Sequence, residues 1–468
     1  MASGGNMADE RFDCIVVGAG PAGCSAAITA AKGGLTTLLI ERAERPGEKS
    51  LSGGVLWGHD LDDVIPGWWK EAPVERYIDK KRLTFLSSDS AFSIDFQSSV
   101  WAKEPYNGFS VLRAKFDEWL ARKAEEAGVT LVCGMTIRKL YRERGRVCGV
   151  IGVNDSDVIK SDTVILADGA NSRLALEAGL RVPKKEPTPG YKRRGKDDPP
   201  SLGDTIDPHW MAIGIKEVVK LPRNVIEDRF ALTGNSGLAN EMVCGFFSKN
   251  KIKAGASLYT NLESVSLNLV IDLPSLRRAV DVNRGLYSFE MIEELRSHPY
   301  VSSLLRGGEV VEYGAHLIPE GGVKMVPRLY GDGVLVAGDA AGFCFSNGIL
   351  LEGMNYAILS GRLAGETVIE AKKKRDFTSS SLSLYEQKLE SSYIMKDLKG
   401  FKDADKVTWN DRIHHVYPEF IAGLMKDMIT ERSLPKEKVK SILKRNLKKN
   451  NLGMFTLLRD ALTIGGKI

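Results

Sequence analysis

At 468 residues the chain is too long for one compact unit and calls for two or three domains. Its 43% hydrophobic and 8% aromatic content is ordinary for a globular protein and excludes a disordered or fibrous class. A net charge of only +5, with no helix-turn-helix, finger or RNA-binding signature, argues against a nucleic-acid partner.

Met1–Glu10 (1–10) is polar and small, lacks an apolar stretch, and reads as disordered or expression-derived rather than as a secretory signal. Phe12–Val17 is short, apolar and β-branched, as a strand buried in a parallel sheet should be. It breaks into Gly18-Ala19-Gly20-Pro21-Ala22-Gly23. In a strand–turn–helix, Gly18 permits the tight turn, Gly20 lets backbone approach a pyrophosphate, and Gly23 lets the helix pack on the strand. The helix, Pro21 to Lys32, points its unpaired amides at the phosphates. A second strand, Thr36–Ile40, delivers Glu41, with Arg42 beside it; a carboxylate there accepts from ribose hydroxyls and repels a 2′-phosphate.

Ser52-Gly53-Gly54 then offers paired glycines for close approach to a flat ligand. Lys81–Phe96 alternates like a strand, and Ser110–Arg113 leads into a helix over Ala114–Ala127. Val129–Cys133, Val147–Val153 with Asp157–Ile159, and Thr163–Ala167 read as further strands, the last closing on Asp168-Gly169. Arg181–Pro208 has the composition of a linker. A β-rich block follows from Met211 to about Leu273, and from Tyr356 the chain is helical.

Between these last two regions, Val336-Ala337-Gly338-Asp339-Ala340-Ala341-Gly342 is a second apolar run breaking at Gly-Asp. With the first glycine turn it implies one extended cofactor held at both ends, and the cofactor of that shape is FAD. Phe12–Ala31 and Val334–Leu351 are rich enough in apolar residues to suggest membrane spans, but glycine clusters and a change of period break both. The six cysteines (Cys14, Cys24, Cys133, Cys148, Cys244 and Cys344) form no CxxC and read as buried thiols in a reducing compartment. The paired His414-His415 lacks a spaced third ligand, so no metal site is expected.

Separated pieces together resemble the FAD-dependent geranylgeranyl reductase-like superfamily: the glycine turn with Glu41, Leu112-Arg113 before Phe116–Leu120, Ala167–Ser172, and Gly338–Gly342. Within it, Ser52–Trp57, Ala72-Pro73-Val74-Glu75-Arg76, Pro319–Gly322 and Tyr417-Pro418 resemble the FixC-type electron transfer flavoprotein–quinone oxidoreductases. The resemblance implies an α/β fold: a Rossmann-like, glutathione-reductase-like FAD-binding domain with an inserted β-rich substrate domain and a C-terminal helical region. The corresponding boundaries are 11–75, 106–185 and 310–375 for the FAD unit, 76–105 and 186–309 for the quinone or substrate unit, and 376–468 for a helical region facing a partner or membrane.

It also implies roles. Arg113 pairs with the pyrophosphate, the backbone around Ile137 meets the adenine, and Ala167, Asp168 and Gly169 pass the adenosine half. Asp339 accepts from a ribityl hydroxyl beside Gly338. Amides of Gly348, Ile349 and Leu350, at the start of the next helix, face the flavin. No catalytic residue is expected beyond the flavin itself.

Long single-chain relatives carry a four-cysteine [4Fe–4S] domain near the C-terminus, which needs four thiolates in close array. No cysteine follows Cys344 here, so the resemblance places that centre on a separate ferredoxin-like subunit, with electron transfer flavoprotein α/β subunits as donor and ubiquinone or menaquinone as acceptor. The basic stretch Lys436–Lys449 is expected to dock the acidic ferredoxin. Val439, Ile442, Leu443 and Leu447, with Met454–Leu462, suggest a basic amphipathic helix lying on lipid, hence a cytoplasmic protein peripheral to the inner face of the cell membrane. The competing expectations are a prenyl-lipid reductase, a flavin hydroxylase and a non-enzymatic flavin-stabilised scaffold. Against the reductase, Val243–Ser248 lacks the aromatic-rich Pro-x-x-Tyr-x-Trp element that such enzymes often carry.

Overall fold

In a computed structural model of the chain, residues 11–50, 54–181, 206–282, 286–347 and 350–467 are described. The segment 1–10, most of the expected linker, and Ser52, Gly53, Gly348 and Ile349 lie outside them.

β1 (Arg11–Val17) enters α1 (Pro21–Lys32), and β2 (Thr37–Ile40) returns parallel to β1 with Ile40 opposite Val17. The chain then leaves for a second sheet through β3 (Gly54–Trp57), β4 (Val74–Leu86), β5 (Ala91–Gln97) and β6 (Gly108–Val111). α2 (Arg113–Glu126) brings it back, and β7 (Thr130–Val132) pairs with β2. A meander of β8 (Lys139–Glu143), β9 (Arg146–Ile151) and β10 (Val158–Leu166) lays β10 parallel to β1. β1, β2 and β10 carry their branched apolar side chains into protein on both faces, as a central parallel sheet requires.

The second sheet continues with β11 (Met211–Lys220), β12 (Ser236–Cys244), β13 (Ala254–Thr260), β14 (Ser264–Asp272) and β15 (Glu309–Pro319). Its order is β15-β11-β14-β13-β12-β4-β6-β3, with β5 on β4, and only the β4–β12 pair is parallel. Ile215, Leu258, Leu267 and Leu269 pack with Met291, Ile292 and Leu295 of the helix Ser288–Ser297 on one face. The other face is left to bound a cavity.

The predicted return to the first unit at 310 needs correcting. Glu309–Pro319 pairs along β11, and β3 and β6 also belong to the second sheet rather than to the flavin unit. β15 is an edge strand with exposed Val310, Val311 and Tyr313, so its apolar alternation is too weak to announce the sheet it joins.

The first sheet resumes only with β16 (Tyr330–Gly331) and β17 (Val334–Val336), the latter parallel to β10. A small hairpin of β18 (Phe345–Ser346) and β19 (Leu351–Glu352) precedes the long helix Met354–Lys374. That helix lies hard against α1. A Cβ on Gly361 would sit 2.0 Å from the Ala22 carbonyl oxygen, and one on Gly365 would sit 2.7 Å from that of Ala26. Small residues on both helices thus draw the two glycine turns, far apart in sequence, to one end of the sheet.

The rest is helical, ending in Tyr417–Ile429, Val439–Lys449 and a terminal helix Met454–Gly465. Ile442, Leu443 and Leu447 do not face outward as expected of a lipid-lying helix. Leu443 and Leu447 pack in one cluster with Tyr417 and Phe420, and Ile442 is buried, leaving Val439 exposed. The helical spacing was legible, but spacing alone does not say which neighbour covers a face.

Candidate functional site

A single cavity of about 780 Å³ begins at the first glycine turn, runs beneath the second sheet and ends at the C-terminal helices. Most residues predicted to hold FAD line it: Gly18, Gly20, Pro21, Ala22, Glu41, Arg42, Gly54, Arg113, Ile137, Ala167, Asp168, Gly169, Asp339 and Leu350. Gly23 and Gly338 do not.

The three glycines of the turn divide their work. Gly18 has φ +104°, and a Cβ there would be 2.2 Å from the Ala167 carbonyl oxygen; at Gly23 it would be 1.7 Å from that of Gly18. Both are demanded by the fold. Gly20 has ordinary extended backbone, φ −80°, and its nearest neighbour to an added Cβ is Arg113 Nη2 at 3.9 Å. Nothing in the protein requires glycine there; the position opens on the cavity.

Glu41 holds the turn from below. It accepts from the Ala19 N–H at 3.0 Å and the Ala43 N–H at 2.8 Å. Arg113 is held by a bidentate pair with buried Asp117, Nε to Oδ1 at 2.7 Å and Nη2 to Oδ2 at 2.6 Å, while Ser50 Oγ donates to Asp117 at 3.1 Å. Burial works against its charge, but Asp117 outweighs that and holds the guanidinium pKa above its usual value. Asp117 takes the Nε–Nη2 edge, which leaves Nη1 of a fixed cation to meet a phosphate.

Opposite lies Asp168. Its Oδ2 accepts from the Leu174 N–H at 3.1 Å, at the start of the short helix Arg173–Glu177. Its Oδ1 is buried without a hydrogen-bond partner, and burial pushes the carboxyl pKa up. A buried orphan acceptor on the wall of a cavity calls for a ligand donor. At the second turn Gly338, φ +64°, donates its N–H to Ser360 Oγ at 3.0 Å, and a Cβ there would meet Ala22 Cβ at 2.7 Å. Gly338 is therefore a packing glycine that leaves Asp339 free to face the cavity. Burial raises the Asp339 pKa, opposed by His316 and Arg113. The open Gly20, the fixed Arg113, the orphaned Asp168 oxygen and Asp339 form a cradle suited to FAD.

One expectation fails on local structure. The helix after the second turn starts at Met354, not at 348–350. Leu350 lies in the β18–β19 turn and donates its N–H to Asn347 Oδ1 at 2.8 Å, so that amide is already engaged. Gly348 and Ile349 fall outside the described residues.

The cavity also holds polar groups that sequence reading missed. Lys216, Glu241, Ser257, Tyr259, Asn268, His316 and Glu320 all line it. Tyr259 donates to Glu241 Oε1 at 3.0 Å, and Lys81 Nζ sits 3.9 Å from the centre of the Trp57 ring. Burial pushes Glu241 up to about 7, Glu320 up to about 8 and Lys216 down to about 7. His414, by contrast, is a packing residue. Its ring nitrogens lie 3.2 Å from the Ala254 carbonyl and 2.6 Å from that of Thr408, and burial pushes its pKa down to about 4. Among the described residues no group of three or more His, Cys, Asp or Glu could hold a metal.

Residues 13–180 match the family described as FAD dependent oxidoreductase. Over 97% of its length the chain is 37% identical to the probable electron transfer flavoprotein-quinone oxidoreductase YdiS of Escherichia coli K12, covering 99% of that protein. It is 39% identical to FixC of the same strain, with the same two coverages, and 35% identical to FixC of Azotobacter vinelandii, covering 97% of this chain and 98% of that one. Among solved structures, a geranylgeranyl bacteriochlorophyll reductase-like protein of Thermoplasma acidophilum superposes with a TM-score of 0.64 at 19% identity, over 97% of this chain and 99% of that one. The myxobacterial halogenase CndH gives 0.60 at 18% identity, over 86% of each. These two share the fold. The cofactor of this chain is FAD.

Proposed function

The chain belongs to the FixC family of FAD-dependent oxidoreductases, and from that premise we propose that it passes electrons from an electron transfer flavoprotein to a quinone. The observation that carries this reading is the continuity of the cavity. It leads from the FAD cradle to an apolar end lined by Ile413, Phe420, Leu457 and Ile464 of the C-terminal helices, which suits a hydrophobic acceptor. FAD supplies the chemistry: it links one-electron donors to a two-electron acceptor.

The protein's own residues position it. Arg113 and the α1 N-terminus take the pyrophosphate, Glu41 the adenosine ribose, and Asp339 the ribityl chain. The six cysteines are dispersed, five buried and Cys133 half-buried, so the iron–sulfur stage is assigned to a separate ferredoxin-like subunit. Lys440, Lys444 and Lys448, spaced at four-residue intervals along one helix, form the surface proposed for that acidic partner.

Among the described residues no helix is long and apolar enough to cross a membrane. The terminal helix nonetheless presents Met454, Phe455, Leu458 and Leu462 outward, Phe455 being 78% exposed, while Leu457, Ala461 and Ile464 line the cavity on its other side. An exposed apolar face on the helix that follows the lysine-rich Val439–Lys449 suits a helix lying in an anionic lipid surface. The double substitution Phe455→Asp, Leu458→Asp is expected to weaken co-sedimentation with anionic vesicles by at least about tenfold, since burying one such side chain is worth roughly 1.5–3 kcal/mol. Flavin content should be unchanged. Binding equal to that of the unaltered protein would remove the membrane from this reading.

The function itself is tested by co-purification with the electron transfer flavoprotein and ferredoxin-like subunits, followed by anaerobic titration with quinone analogues. Reoxidation of the reduced flavin by a quinone is expected. Failure with every quinone, together with turnover of a prenylated lipid, would replace this reading with that of a prenyl reductase. A flavin inert to all donors would leave the scaffold.

A further inference from the structure

The strand register of the second sheet places four polar residues in one line. Glu241 on β12 is opposite Ser257 on β13, Ser257 is opposite Asn268 on β14, and Asn268 is opposite Lys216 on β11. Directly opposed residues of antiparallel strands point to the same face, and all four line the cavity. Three strand spacings of about 4.8 Å put the ends of the line roughly 14 Å apart at the backbone. The two end charges act on each other across it.

The line is built. Asn268, 2% exposed, donates from Nδ2 to Ser257 Oγ at 2.9 Å, while its Oδ1 is buried with no hydrogen-bond partner. Tyr259, on the same face of β13, donates to Glu241. The adjacent row, Val243, Gly255, Val270, is apolar and lines the same cavity. An acid, an amide acceptor and an ammonium crossing an otherwise apolar floor are set out for a flat molecule with polar groups at opposite edges.

We propose that this row binds and protonates the electron acceptor: Lys216 donates a hydrogen bond to one carbonyl oxygen of a quinone, with Asn268 Oδ1 on the neighbouring strand accepting from the hydroxyl formed there, and Glu241 transfers a proton to the other carbonyl oxygen. The assignment rests on the quinone reading of function. Reduction of a quinone to a quinol takes two electrons and two protons. Bound FAD, once reduced, would supply both electrons and one proton, the proton going to the oxygen beside Lys216; Glu241 supplies the second. Its carboxyl O–H bond breaks, an O–H bond forms on the quinone oxygen, and the carboxylate is reprotonated from water.

The charged groups around Glu241 are Lys81 from β4 and Lys216 from β11, both favouring its ionised form, with Tyr259 from β13 as hydrogen-bond donor. Around Lys216 stand Arg113, Glu312 and Glu241. Burial outweighs these neighbours at Glu241 and holds the acid half-protonated near pH 7, where a general acid is most useful.

The test uses the full chain with FAD. Quinone-driven flavin reoxidation in the unaltered protein is expected to fall as pH rises through about 7, as the acid ionises. Glu241→Gln should flatten that limb and slow reoxidation by about tenfold or more, with binding of a redox-inert quinone analogue within twofold. Lys216→Met should instead weaken analogue binding by about tenfold. In the FAD-free protein, the infrared carbonyl band of protonated carboxyls should titrate near pH 7 with an amplitude that falls in Glu241→Gln, leaving the contribution of Glu320, which burial holds at about 8. An unaltered protein that no quinone reoxidises overturns the reading of function. An active unaltered protein whose Glu241→Gln variant keeps both rate and pH limb overturns this assignment alone, as does an infrared band near pH 7 of unchanged amplitude after the substitution.

Discussion

Gly20→Val is expected to give a folded chain that retains no FAD, whereas Gly23→Val is expected to give no stably folded chain. The two glycines stand three residues apart in one motif, but their surroundings differ. A Cβ at Gly23 would overlap the Gly18 carbonyl oxygen at 1.7 Å, so the strand and helix cannot keep their positions. At Gly20 the backbone is extended and no protein atom lies nearer an added Cβ than 3.9 Å. The valine side chain therefore fills only the space through which the pyrophosphate reaches the α1 amides. Loss of that approach should weaken FAD by at least about a hundredfold, or about 3 kcal/mol. Flavin absorbance per chain after gel filtration reads the cofactor, and circular dichroism with thermal unfolding reads the fold. Flavin retained at full occupancy by Gly20→Val would mean that the phosphates lie elsewhere in the cavity.

That contrast shows which parts of the site were legible in the chain and which were not. The first turn was readable because its requirements are local: Val17, Gly18, Gly20 and Gly23 are consecutive elements of one strand–turn–helix. Gly338 and Asp339 were readable for the same reason. The part played by Leu350 was not, because its N–H goes to Asn347 Oδ1 between β18 and β19, a pairing that no spacing along the chain marks. The polar row was invisible for a different reason. Glu241, Ser257, Asn268 and Lys216 become neighbours only through the pairing of four strands, and nothing in the spacing along the chain marks them. Tyr417-Pro418 was noticed as a family mark, but its work is long-range. Tyr417 donates to Asp460 Oδ2 at 2.6 Å, Arg412 pairs with both oxygens of that carboxylate, and Pro418 packs where a Cβ on Gly245 would be 2.5 Å from it. The motif therefore fastens the terminal helix over the cavity.

Arg76, in the motif Ala72–Arg76, is expected to be the costliest single polar side chain to remove outside the cofactor cradle. It is 1% exposed and does not line the cavity. Its guanidinium donates to the carbonyls of Asn261 at 2.7 Å, Ser236 at 2.9 Å and Gly234 at 3.0 Å, with Glu227 at 3.4 Å as its counter-charge. Burial lowers its pKa, opposed by Glu227, so the fork of hydrogen bonds keeps the charge tolerable. Glu75 completes the clamp, accepting from the Leu262 N–H at 3.0 Å. One arginine and one glutamate on β4 thus hold the β13–β14 turn and the start of β12. Arg76→Leu takes their donor from the buried Asn261 and Ser236 carbonyls, each worth roughly 1–3 kcal/mol, while Glu227 and the Gly234 carbonyl keep Arg223. A loss of about 3–5 kcal/mol is expected, a large share of the roughly 5–15 kcal/mol that holds a typical domain. The urea midpoint should fall accordingly. Arg76→Lys should recover only part of the loss, because an ammonium cannot span the fork of carbonyls. FAD affinity measured well below the transition should change little, since the cradle lies on the other sheet. A loss under about 1 kcal/mol would show that water replaces the guanidinium, and that the order of this sheet is set by its strand pairing alone.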